Sequence, residues 1–373
     1  MKLTKVIAVV GARPNFVKMA PIAEAMQRHS STMRFRLVHT GQHYAAELSD
    51  VFFEDLELPK PDIELGIGSG SHAEQTGRIM MSFEKECLEQ KPDLVLVVGD
   101  VNSTLACALA AKKLGISVAH VEAGLRSGDL SMPEEINRLC TDAIADYLFT
   151  TDTIANDNLQ REGIAEQRIH FVGNVMIDTL TKYRPAASRL TLMHDLGLTR
   201  GGYGLVTLHR PSNVDHPDVL RGVLEALQAV AVDLPLIFPL NPRAALMLKT
   251  FGFERYLKRG GRVEGIWATE PLGYLAFLHL MLGARLVLTD SGGIQEETTA
   301  LGVPCLTLRD NTERPITCAL GTNRLVGTRK ETIVGAAEEV LGNPRRPAQI
   351  PEKWDGQSAE RLVSVLIDSF RCG

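Results

Sequence analysis

The segment Leu94–Arg138, which reads LVLVVGDVNSTLACALAAKKLGISVAHVEAGLRSGDLSMPEEINR, decides the fold of this chain. Leu94–Val98 is a short Val-rich run between a proline and a glycine, a pattern typical of a buried strand. Thr104–Leu114 predicts a helix that ends before a glycine, and Ile116–Val121 predicts a second strand. Strand, helix and strand within this length predict a βαβ unit with parallel strands and a right-handed crossover.

Three carboxylates follow the elements of this unit. Asp100 and Glu122 each come just after a strand, and Glu134 lies where a new helix is predicted to start. Both strands end at the same edge of the sheet, where open α/β sheets bind ligands. Neighbouring strands are roughly 5 Å apart, so Asp100 and Glu122 can share one crevice.

Each acid also has a structural interpretation. Asp100 precedes a helix, where aspartate is often only an N-cap, although Asn102 and Ser103 could serve instead. Glu134 lies three residues after Ser131, which fits a capping box, and Glu135 beside it makes the register uncertain. We favour a functional role for Asp100 and Glu122 and leave Glu134 open between function and capping.

The length and composition of the chain limit the number of domains and the class of protein. A chain of 373 residues is too long for one ordinary core, so two domains are expected. With 45% hydrophobic and 23% charged residues it should be a soluble globular protein, and its net charge of −5 gives no reason to expect nucleic-acid or membrane binding. The first apolar run, Val6–Val10, is too short for a signal peptide and predicts a strand, and we expect a cytoplasmic location.

Six cysteines are scattered without C-x-x-C or Cys/His clusters. We expect them to be buried small hydrophobic residues, and we expect no metal site.

Strand and helix patterns alternate through the chain and then restart. The fold class that this predicts is α/β, with two Rossmann-like doubly wound domains. We place the N-terminal domain at residues 1–174, with the helix at 356–373 packing back on it, and the C-terminal domain at 175–355.

The first strand is not followed by G-x-G-x-x-G, so a bound nicotinamide is not expected. The loop instead carries Arg13 and the next helix carries Lys18. A planar cation such as Arg13 at this edge suits a phosphate or a carboxylate, whereas the alternative is a solvated turn.

Two places in the second half point to an anion. His209 and Arg210 follow a strand, and Asp290-Ser291-Gly292-Gly293 separates a strand from a helix. Two glycines at a helix start leave backbone N–H groups open to an anion; the alternative is a tight turn capped by Ser291. Asp310, Glu313 and Arg314 follow the last predicted strand. Cations in one domain and acids in the other predict a phosphorylated ligand, and a nucleotide sugar fits.

Several motifs together resemble a known family. GARPNFVK, TGQHY, VVGDVNSTLA, HVEAGLRSGD, MPEEINR, FVGN, TLHRPSN, TDSGGIQEE and LRDNTERP occur in the order found in the non-hydrolysing UDP-N-acetylglucosamine 2-epimerases. The resemblance implies the GT-B architecture with an active-site cleft between two domains, a homodimer, and no cofactor. It also implies interconversion of UDP-GlcNAc and UDP-ManNAc, through elimination of UDP to 2-acetamidoglucal and its re-addition.

The resemblance also assigns roles to residues. Asp100, Glu122 and Glu134 would be the acid–base carboxylates, with His209 beside them in the catalytic group. The remaining residues would bind the UDP-sugar, with Phe277 facing the uracil: they are Arg13, Lys18, Arg210, Phe277, Ser291, Gly292, Gly293, Glu297 and Arg314.

Some residues depart from the family pattern. Arg210-Pro211-Ser212-Asn213 stands where many relatives have Arg-x-Glu-Asn, and Leu272 where some have glutamine. Ala45 and the region of Ser69–Ser71 replace residues that line an activating site in some relatives. The segments HYAAELSDVFFEDLELPKPD and SGSHAEQTG resemble relatives acting on UDP-2,3-diacetamido-glucuronic acid, whereas Glu313-Arg314-Pro315 favours UDP-GlcNAc.

Other functions remain as alternatives: a GT-B glycosyltransferase, a hydrolysing epimerase or a nucleotide-sugar sensor.

Overall fold

The structure is a computed structural model that describes residues 3–42, 55–260, 263–343 and 348–371, with the side chain of Arg13 outside the description. It divides into two compact units. Unit 1 comprises Met1–Lys182 and Glu352–Gly373, and unit 2 comprises Tyr183–Pro351. The boundary after Lys182 lies later in the chain than the predicted boundary after residue 174. The boundary after Pro351 lies a few residues before the predicted boundary after residue 355.

Unit 1 contains a parallel sheet of seven strands in the order β3-β2-β1-β4-β5-β6-β7. Its strands are β1 (Thr4–Val10), β2 (Met33–His39), β3 (Ile63–Glu64), β4 (Leu94–Val98), β5 (Ser117–Ala123), β6 (Tyr147–Thr150) and β7 (Ile169–Phe171). Its helices are α1 (Arg13–Arg28), α2 (His72–Gln90), α3 (Asn102–Lys113), α4 (Pro133–Ile144) and α5 (Thr153–Arg161), with α6 (Val175–Ala187) crossing into unit 2. Every residue of β4 is buried, as expected for a strand covered by helices on both faces.

Unit 2 contains a second parallel sheet, of six strands in the order β10-β9-β8-β11-β12-β13. Its strands are β8 (Gly204–Thr207), β9 (Leu236–Pro239), β10 (Ile266–Thr269), β11 (Leu286–Thr289), β12 (Cys305–Thr307) and β13 (Asn323–Leu325). Its helices are α7 (Leu192–Asp195), α8 (Pro211–Val214), α9 (Pro217–Val230), α10 (Pro242–Thr250), α11 (Tyr274–Gly283), α12 (Gly292–Leu301), α13 (Ile316–Ala319) and α14 (Lys330–Gly342). The chain then returns to unit 1 as α15 (Ser358–Arg371).

In both sheets the strand order reverses at one place, between β1 and β4 in unit 1 and between β8 and β11 in unit 2. In each unit, the loops at the carboxyl ends of the two strands at the reversal lie where open α/β sheets bind ligands. The α/β class with two Rossmann-like domains is confirmed. The candidate loops after β1, β4, β8 and β11 lie at these reversals, whereas Glu122 at the end of β5 and Arg314 after β12 belong to the next strand of each sheet.

Several elements differ from the prediction or were not predicted, among them the helices α5 and α14. The sequence also predicts a strand at 262–266. This prediction is wrong, because β10 begins at Ile266 and ends at Thr269, whereas Arg262 lies outside the described residues. Helix α10 was missed because Asn241-Pro242-Arg243 looks like a loop, although Asn241 caps this helix through the N–H of Arg243. Strands β3 and β13, of two and three residues, are too short to form a recognisable pattern.

The cysteine prediction is partly wrong. Cys87, Cys107 and Cys305 are buried, but Cys140 and Cys318 are exposed free thiols. Among the described helices, none combines the length and apolar character needed to cross a membrane.

The returning segment is fixed to unit 1 by polar contacts. Asp178 in α6 accepts hydrogen bonds from the N–H groups of Ser358 (3.0 Å) and Ala359 (2.7 Å), at the start of α15. The indole N–H of Trp354 donates to the carbonyl of Thr151 at 2.9 Å. Because these donors come from the far end of the chain, unit 1 is complete only with both of its segments.

Candidate active site

The turn after β4 places Gly99, the residue before Asp100, close to Glu122. Strands β4 and β5 pair with Val98 opposite Val121, and the N–H of Gly99 donates to the carbonyl of Val121 at 3.0 Å. A Cβ atom added to Gly99 would lie 3.4 Å from Oε2 of Glu122. Gly99 has a φ of +69°, which suits glycine, and at this residue the turn that carries Asp100 passes close to Glu122.

Glu122 forms an ion pair with Lys18 of α1, and both side chains are buried. The backbone of Glu122 has a φ of +69°, a conformation that costs about 1–3 kcal/mol in a non-glycine residue and is common at functional sites. Lys18, which resemblance assigned to the UDP-sugar, therefore lies against a carboxylate here.

Asp100 is paired with Arg138 of α4. Oδ2 of Asp100 lies 2.5 Å from Nη1 of Arg138, and the aspartate side chain is 27% exposed whereas that of the arginine is 2% exposed. The same arginine donates to Glu135, which also accepts from the N–H groups of Ser127 (3.0 Å) and Gly128 (2.9 Å). Burial raises the pKa of Glu135, but these donors outweigh burial and hold it below its usual value. Glu135 therefore holds Arg138, and Arg138 holds Asp100.

Glu134 does not form the capping box that its spacing from Ser131 allowed. The N-cap of α4 is Met132, without a side-chain cap, and the hydroxyl of Ser131 donates to Asp129 at 2.6 Å. Glu134 is half-buried and, within the described residues, has no hydrogen bond or ion pair. It lies four residues before Arg138, so both occupy one face of α4, about 5–6 Å apart at Cβ. The capping alternative is wrong, which leaves Glu134 as a functional candidate.

The loop after β1 is fixed by Asn15, a residue the sequence did not single out. Its Oδ1 accepts from the N–H groups of Gly11 (3.1 Å) and Ala12 (3.0 Å), and its Nδ2 donates to the carbonyl of Val98 at 3.0 Å. Asn15 thereby joins the carboxyl ends of β1 and β4. The side chain of Arg13, the predicted phosphate ligand, lies outside the described residues.

In unit 2, Asp290 at the end of β11 positions His209 at the end of β8. Oδ1 of Asp290 lies 2.9 Å from Nδ1 of His209, and the aspartate also accepts from the backbone N–H groups of His209 and Arg210. Burial raises the pKa of Asp290, but the charge and hydrogen bonds of His209 outweigh burial and hold it below its usual value. Because an ionised carboxylate only accepts, Nδ1 of His209 carries a proton, and the half-exposed ring presents Nε2.

The turn before α12 is not capped by a side chain. Its N-cap residue Ser291 makes no side-chain cap hydrogen bond, so the capping alternative is wrong here as well. A Cβ atom on Gly292 would lie 2.4 Å from Nη1 of Arg314 and 2.5 Å from Oε1 of Glu313, so a side chain here would displace these two groups. Gly292 and Gly293 form the first turn of α12, whose N–H groups and dipole favour an anion.

Glu313 is buried and contacts three arginines. Its oxygens lie 2.8 Å from Arg309, 2.5 Å from Arg314 and 3.3 Å from Arg210. Burial raises the pKa of Glu313, but the three guanidinium groups hold it well below its usual value. Arg210 and Arg314, both predicted as ligands, are thus brought together by one carboxylate beside the turn at Gly292.

Glu297 lies one turn into α12 and is fully buried. Burial raises its pKa to about 7, and the hydroxyl of Tyr274 donates to its Oε1 at 2.9 Å. Phe277 follows Tyr274 by three residues in α11, so it lies near the same face of that helix, and it is half-buried. The structure therefore brings the candidates of unit 2 to one edge of its sheet.

Residues that sequence reasoning missed here are the partners of the candidates: Arg138, Glu135, Asn15, Asp290 as the partner of His209, and Tyr274. Asp290 could have been recognised, because it precedes Ser291 at the end of a strand. The others lie inside helices, where nothing local distinguishes them.

Two Rossmann-like domains, one with carboxylates paired to buried cations and one with an uncapped glycine turn at a helix start, are features of the GT-B class of proteins that act on nucleotide sugars. The sequence profile of the UDP-N-acetylglucosamine 2-epimerase family matches residues 24–367. The chain belongs to this family.

Relatives of the chain carry two different names. It is 44% identical to the UDP-N-acetylglucosamine 2-epimerase of Methanocaldococcus jannaschii, over 97% of this chain and 98% of that protein. It is 41% identical to the UDP-2,3-diacetamido-2,3-dideoxy-D-glucuronate 2-epimerase of Pseudomonas aeruginosa, over 97% of this chain and 99% of that protein. The crystal structure of the M. jannaschii UDP-GlcNAc 2-epimerase in complex with UDP-GlcNAc and UDP is similar with a TM-score of 0.90, 44% identity and coverage of 97% of this chain and 99% of that one.

Proposed function

We propose that this protein interconverts UDP-N-acetylglucosamine and UDP-N-acetylmannosamine. The observation that carries the proposal is the pair of carboxylates, Asp100 and Glu122, each held by its own buried cation at the carboxyl ends of the adjacent strands β4 and β5. Family membership and the resemblance to a structure determined with UDP-GlcNAc and UDP support it.

The reaction needs both kinds of site. The hydrogen on C2 of the sugar is not next to a carbonyl, so a base alone would remove it slowly; departure of UDP from C1 has to be stabilised electrostatically. A carboxylate takes the C2 proton, the C1–O bond to UDP breaks with its electron pair leaving on the phosphate, and a C1=C2 double bond forms in 2-acetamidoglucal. Return of a proton to the other face of C2 and re-addition of UDP to C1 give the epimer.

The residues divide between these tasks. In this proposal Asp100, Glu122 and Glu134 exchange protons at C2, as general acid–base groups. His209, with a proton on Nδ1 and Nε2 presented, and the cations Arg210 and Arg314 stabilise the leaving diphosphate together with the turn at Ser291-Gly292-Gly293. Phe277 contacts the uracil, and Glu297 binds the UDP. Arg13 adds a contact to the phosphates.

The choice of sugar rests on the family name and on Glu313-Arg314-Pro315. A 2-epimerase of UDP-2,3-diacetamido-glucuronic acid is the second candidate, because the P. aeruginosa relative is 41% identical over nearly the whole chain. Both reactions invert C2 and use the same carboxylates, so they are distinguished by substrate alone.

The test is a proton NMR time course in D2O with either UDP-sugar as the only substrate. We expect UDP-GlcNAc to give UDP-ManNAc with deuterium at C2, and the remaining UDP-GlcNAc to gain deuterium as equilibrium is approached, because a carboxylate proton exchanges with water between turnovers.

An epimer that retained its C2 hydrogen would contradict this mechanism. Free ManNAc and UDP would indicate a hydrolysing enzyme, and turnover of the diacetamido sugar alone would select the second candidate. Transfer of the sugar to an added acceptor, without a change at C2, would indicate a glycosyltransferase.

We also propose a homodimer in the cytoplasm, as the family resemblance implies. Light scattering should then give twice the chain mass of 40.8 kDa. The exposed free thiols of Cys140 and Cys318 are compatible with a reducing compartment.

A further inference from the structure

Gln295 of α12 is a buried polar residue to which the proposed reaction gives no role. It is 0% exposed, and its side-chain amide makes three hydrogen bonds. Nε2 donates to the carbonyl of Ser291 at 3.2 Å. Oε1 accepts from the hydroxyl of Thr312 at 2.7 Å and from the amide of Asn323 at 3.0 Å. Gln295 therefore joins the turn before α12 to the loop after β12 and to the start of β13.

Both hydrogen bonds to Oε1 of Gln295 lead to the backbone of Arg314. The hydroxyl of Thr312 donates to Gln295, and its oxygen accepts from the N–H of Arg314 at 3.0 Å. Asn323 also donates to the hydroxyl of Thr317 at 3.1 Å, and this hydroxyl donates to the carbonyl of Arg314 at 2.7 Å. The peptide groups on both sides of Arg314 are thus connected to one side-chain oxygen.

The groups at the ends of this network fix the direction of its hydrogen bonds. The carbonyls of Ser291 and Arg314 only accept, and the N–H of Arg314 only donates. If the amide of Gln295 were turned over, its oxygen would face the Ser291 carbonyl and its NH2 group would face the NH2 group of Asn323. One orientation of the amide therefore satisfies all of its partners, and the network consists of neutral groups throughout.

We propose that Gln295 is a positioning residue for the diphosphate, because it fixes the distance between the turn Ser291–Gly293 and Arg314. This role rests on the proposed function, in which both groups contact the leaving UDP, whereas the hydrogen bonds themselves do not depend on it. A Cβ atom added to Gly292 would lie 2.4 Å from Nη1 of Arg314, so the guanidinium lies against the turn. A phosphate oxygen can contact both groups only while this spacing is kept.

Arg314 is held at its side chain as well as at its backbone. Its guanidinium pairs with Glu313, and its Nε lies 2.9 Å from Oε1 of Glu296, the neighbour of Gln295 in α12. Helix α12 thus contacts Arg314 directly at the guanidinium and through Gln295 at the backbone. With both ends held, the arginine has little freedom left to lose when a phosphate binds, and this lowers the entropic cost of binding.

Calorimetry of the full-length protein with UDP and with uridine tests the role. Thr312→Val removes a hydroxyl from the network with little change of shape, and we expect UDP to bind about 5- to 30-fold more weakly, because the partners of that hydroxyl are left unpaired. Uridine has no phosphate and should bind within about 2-fold of its affinity for the wild type. A general loosening of unit 2 would weaken the binding of both ligands.

Three further variants complete the test. Thr312→Ser keeps the hydroxyl and should bind UDP within about 2-fold of the wild type. Gln295→Met removes all three hydrogen bonds and should weaken UDP binding about 10- to 100-fold. Thr299→Val is the matched control, because Thr299 lies in the same helix, is 0% exposed, and has a hydroxyl without a hydrogen-bond partner among the described residues. It should leave the affinity for both ligands unchanged.

Hydrogen exchange gives a measurement that does not depend on UDP. The N–H of Arg314 should exchange at least about 10-fold faster in Thr312→Val than in Thr312→Ser, because only the valine variant lacks the acceptor.

Unchanged UDP affinity in folded Gln295→Met or Thr312→Val, or an equal loss of affinity for UDP and uridine, would overturn the positioning role. If Gln295→Met failed to fold, Thr312→Val would decide. Equal exchange of the Arg314 N–H in the two Thr312 variants would overturn the connection through that hydroxyl. If the wild-type protein bound no UDP, the proposed function would fail together with the role at the diphosphate, while the exchange rates would still decide whether Thr312 holds Arg314.

Discussion

The two units use opposite signs of charge at the same topological place. In unit 1 the partly exposed group is a carboxylate, Asp100, and the buried group that holds it is Arg138. In unit 2 the buried groups are the carboxylates Asp290 and Glu313, and the more exposed groups that they hold are His209 and Arg210. In these pairs the same fold presents an anion at one sheet and cations at the other, depending on which member of the pair is buried, whereas both members of the Lys18–Glu122 pair are buried.

This difference has an energetic reason. A buried charge without a partner is costly, so a charged group is kept in place most firmly when its counterion is buried beneath it. Unit 1 follows this rule for groups that would exchange protons, and unit 2 for groups that would bind phosphate. The variants below test whether each buried partner has the role that this comparison gives it.

The largest effect is expected in unit 1 from Glu122→Gln and Asp100→Asn. Each should lower turnover by at least ~100-fold, because a proton-transfer group is lost. Glu122→Gln should also lower the free energy of unfolding by about 3–5 kcal/mol, since it leaves Lys18 buried without its counterion. Asp100→Asn should cost less stability because its side chain is 27% exposed. Steady-state kinetics and urea unfolding measure both quantities.

Glu166→Gln changes an exposed acid of unit 1 and is the control. It should change neither turnover nor the free energy of unfolding. Near-normal turnover in either site variant would remove that residue from the mechanism. It would also contradict the role that the comparison of the two units gives to the carboxylates of unit 1.

In unit 2 the corresponding change is Glu313→Gln. It removes the shared partner of Arg210, Arg309 and Arg314, so the free energy of unfolding should fall by about 3–5 kcal/mol. UDP binding measured by calorimetry should weaken, because the arginines lose their common position.

Glu339→Gln breaks an exposed ion pair with Arg324 in the same unit and should cost less than ~1 kcal/mol. If the two variants lost similar stability, the buried carboxylate of unit 2 would have no special role.

A third prediction concerns the pH dependence of stability through Glu297. Its pKa in the folded protein is raised from 4.5 to about 7, so the protonated form is favoured by folding. Stability is then fully present below about pH 4.5 and is lost as the pH rises to about 7, by a total of about 3 kcal/mol.

Glu297→Gln should remove this loss, because glutamine keeps the shape and can still accept from Tyr274. The variant should therefore be more stable than the wild type at pH about 8 and equally stable at pH about 4.5, as measured by thermal unfolding. Parallel curves for the two proteins would show that this carboxyl is ionised in the folded state.

The smallest stability effect is expected from Glu134→Gln. Glu134 makes no capping interaction, so the free energy of unfolding should change by less than ~0.5 kcal/mol. Turnover should nevertheless fall, because Glu134 shares a helix face with the partner of Asp100. A stable and fully active variant would leave unit 1 with two functional carboxylates.

The sequence predicts strands where the physical signal is strong. The valine runs of β4 and β5 and the apolar run of β11 are recognisable because strands buried on both faces need continuous apolar residues. Strands β3 and β13 have two and three residues and carry no such signal. Helix α10 begins with Asn241 and Pro242, which favour a turn and a helix start equally.

The candidate site is predictable only in part, for a related reason. The acids and glycines stand at strand ends, a local feature that the sequence shows directly. Their partners do not, because Lys18 and Glu122 are 104 residues apart and Asp290 and His209 are 81 apart. Which of two neighbouring acids, Glu134 or Glu135, faces Arg138 depends on the rotation of α4 against the sheet, and that rotation is decided by packing.

The return of the chain to unit 1 has a consequence for the order of events during synthesis. All of unit 2, Tyr183–Pro351, leaves the ribosome before Trp354, Ser358 and Ala359, on which Thr151 and Asp178 of unit 1 depend. Domains generally fold as their sequence becomes complete. We therefore expect unit 2 to complete its fold before unit 1, although most of unit 1 is translated first. Until α15 has been synthesised, unit 1 lacks the helix that completes it.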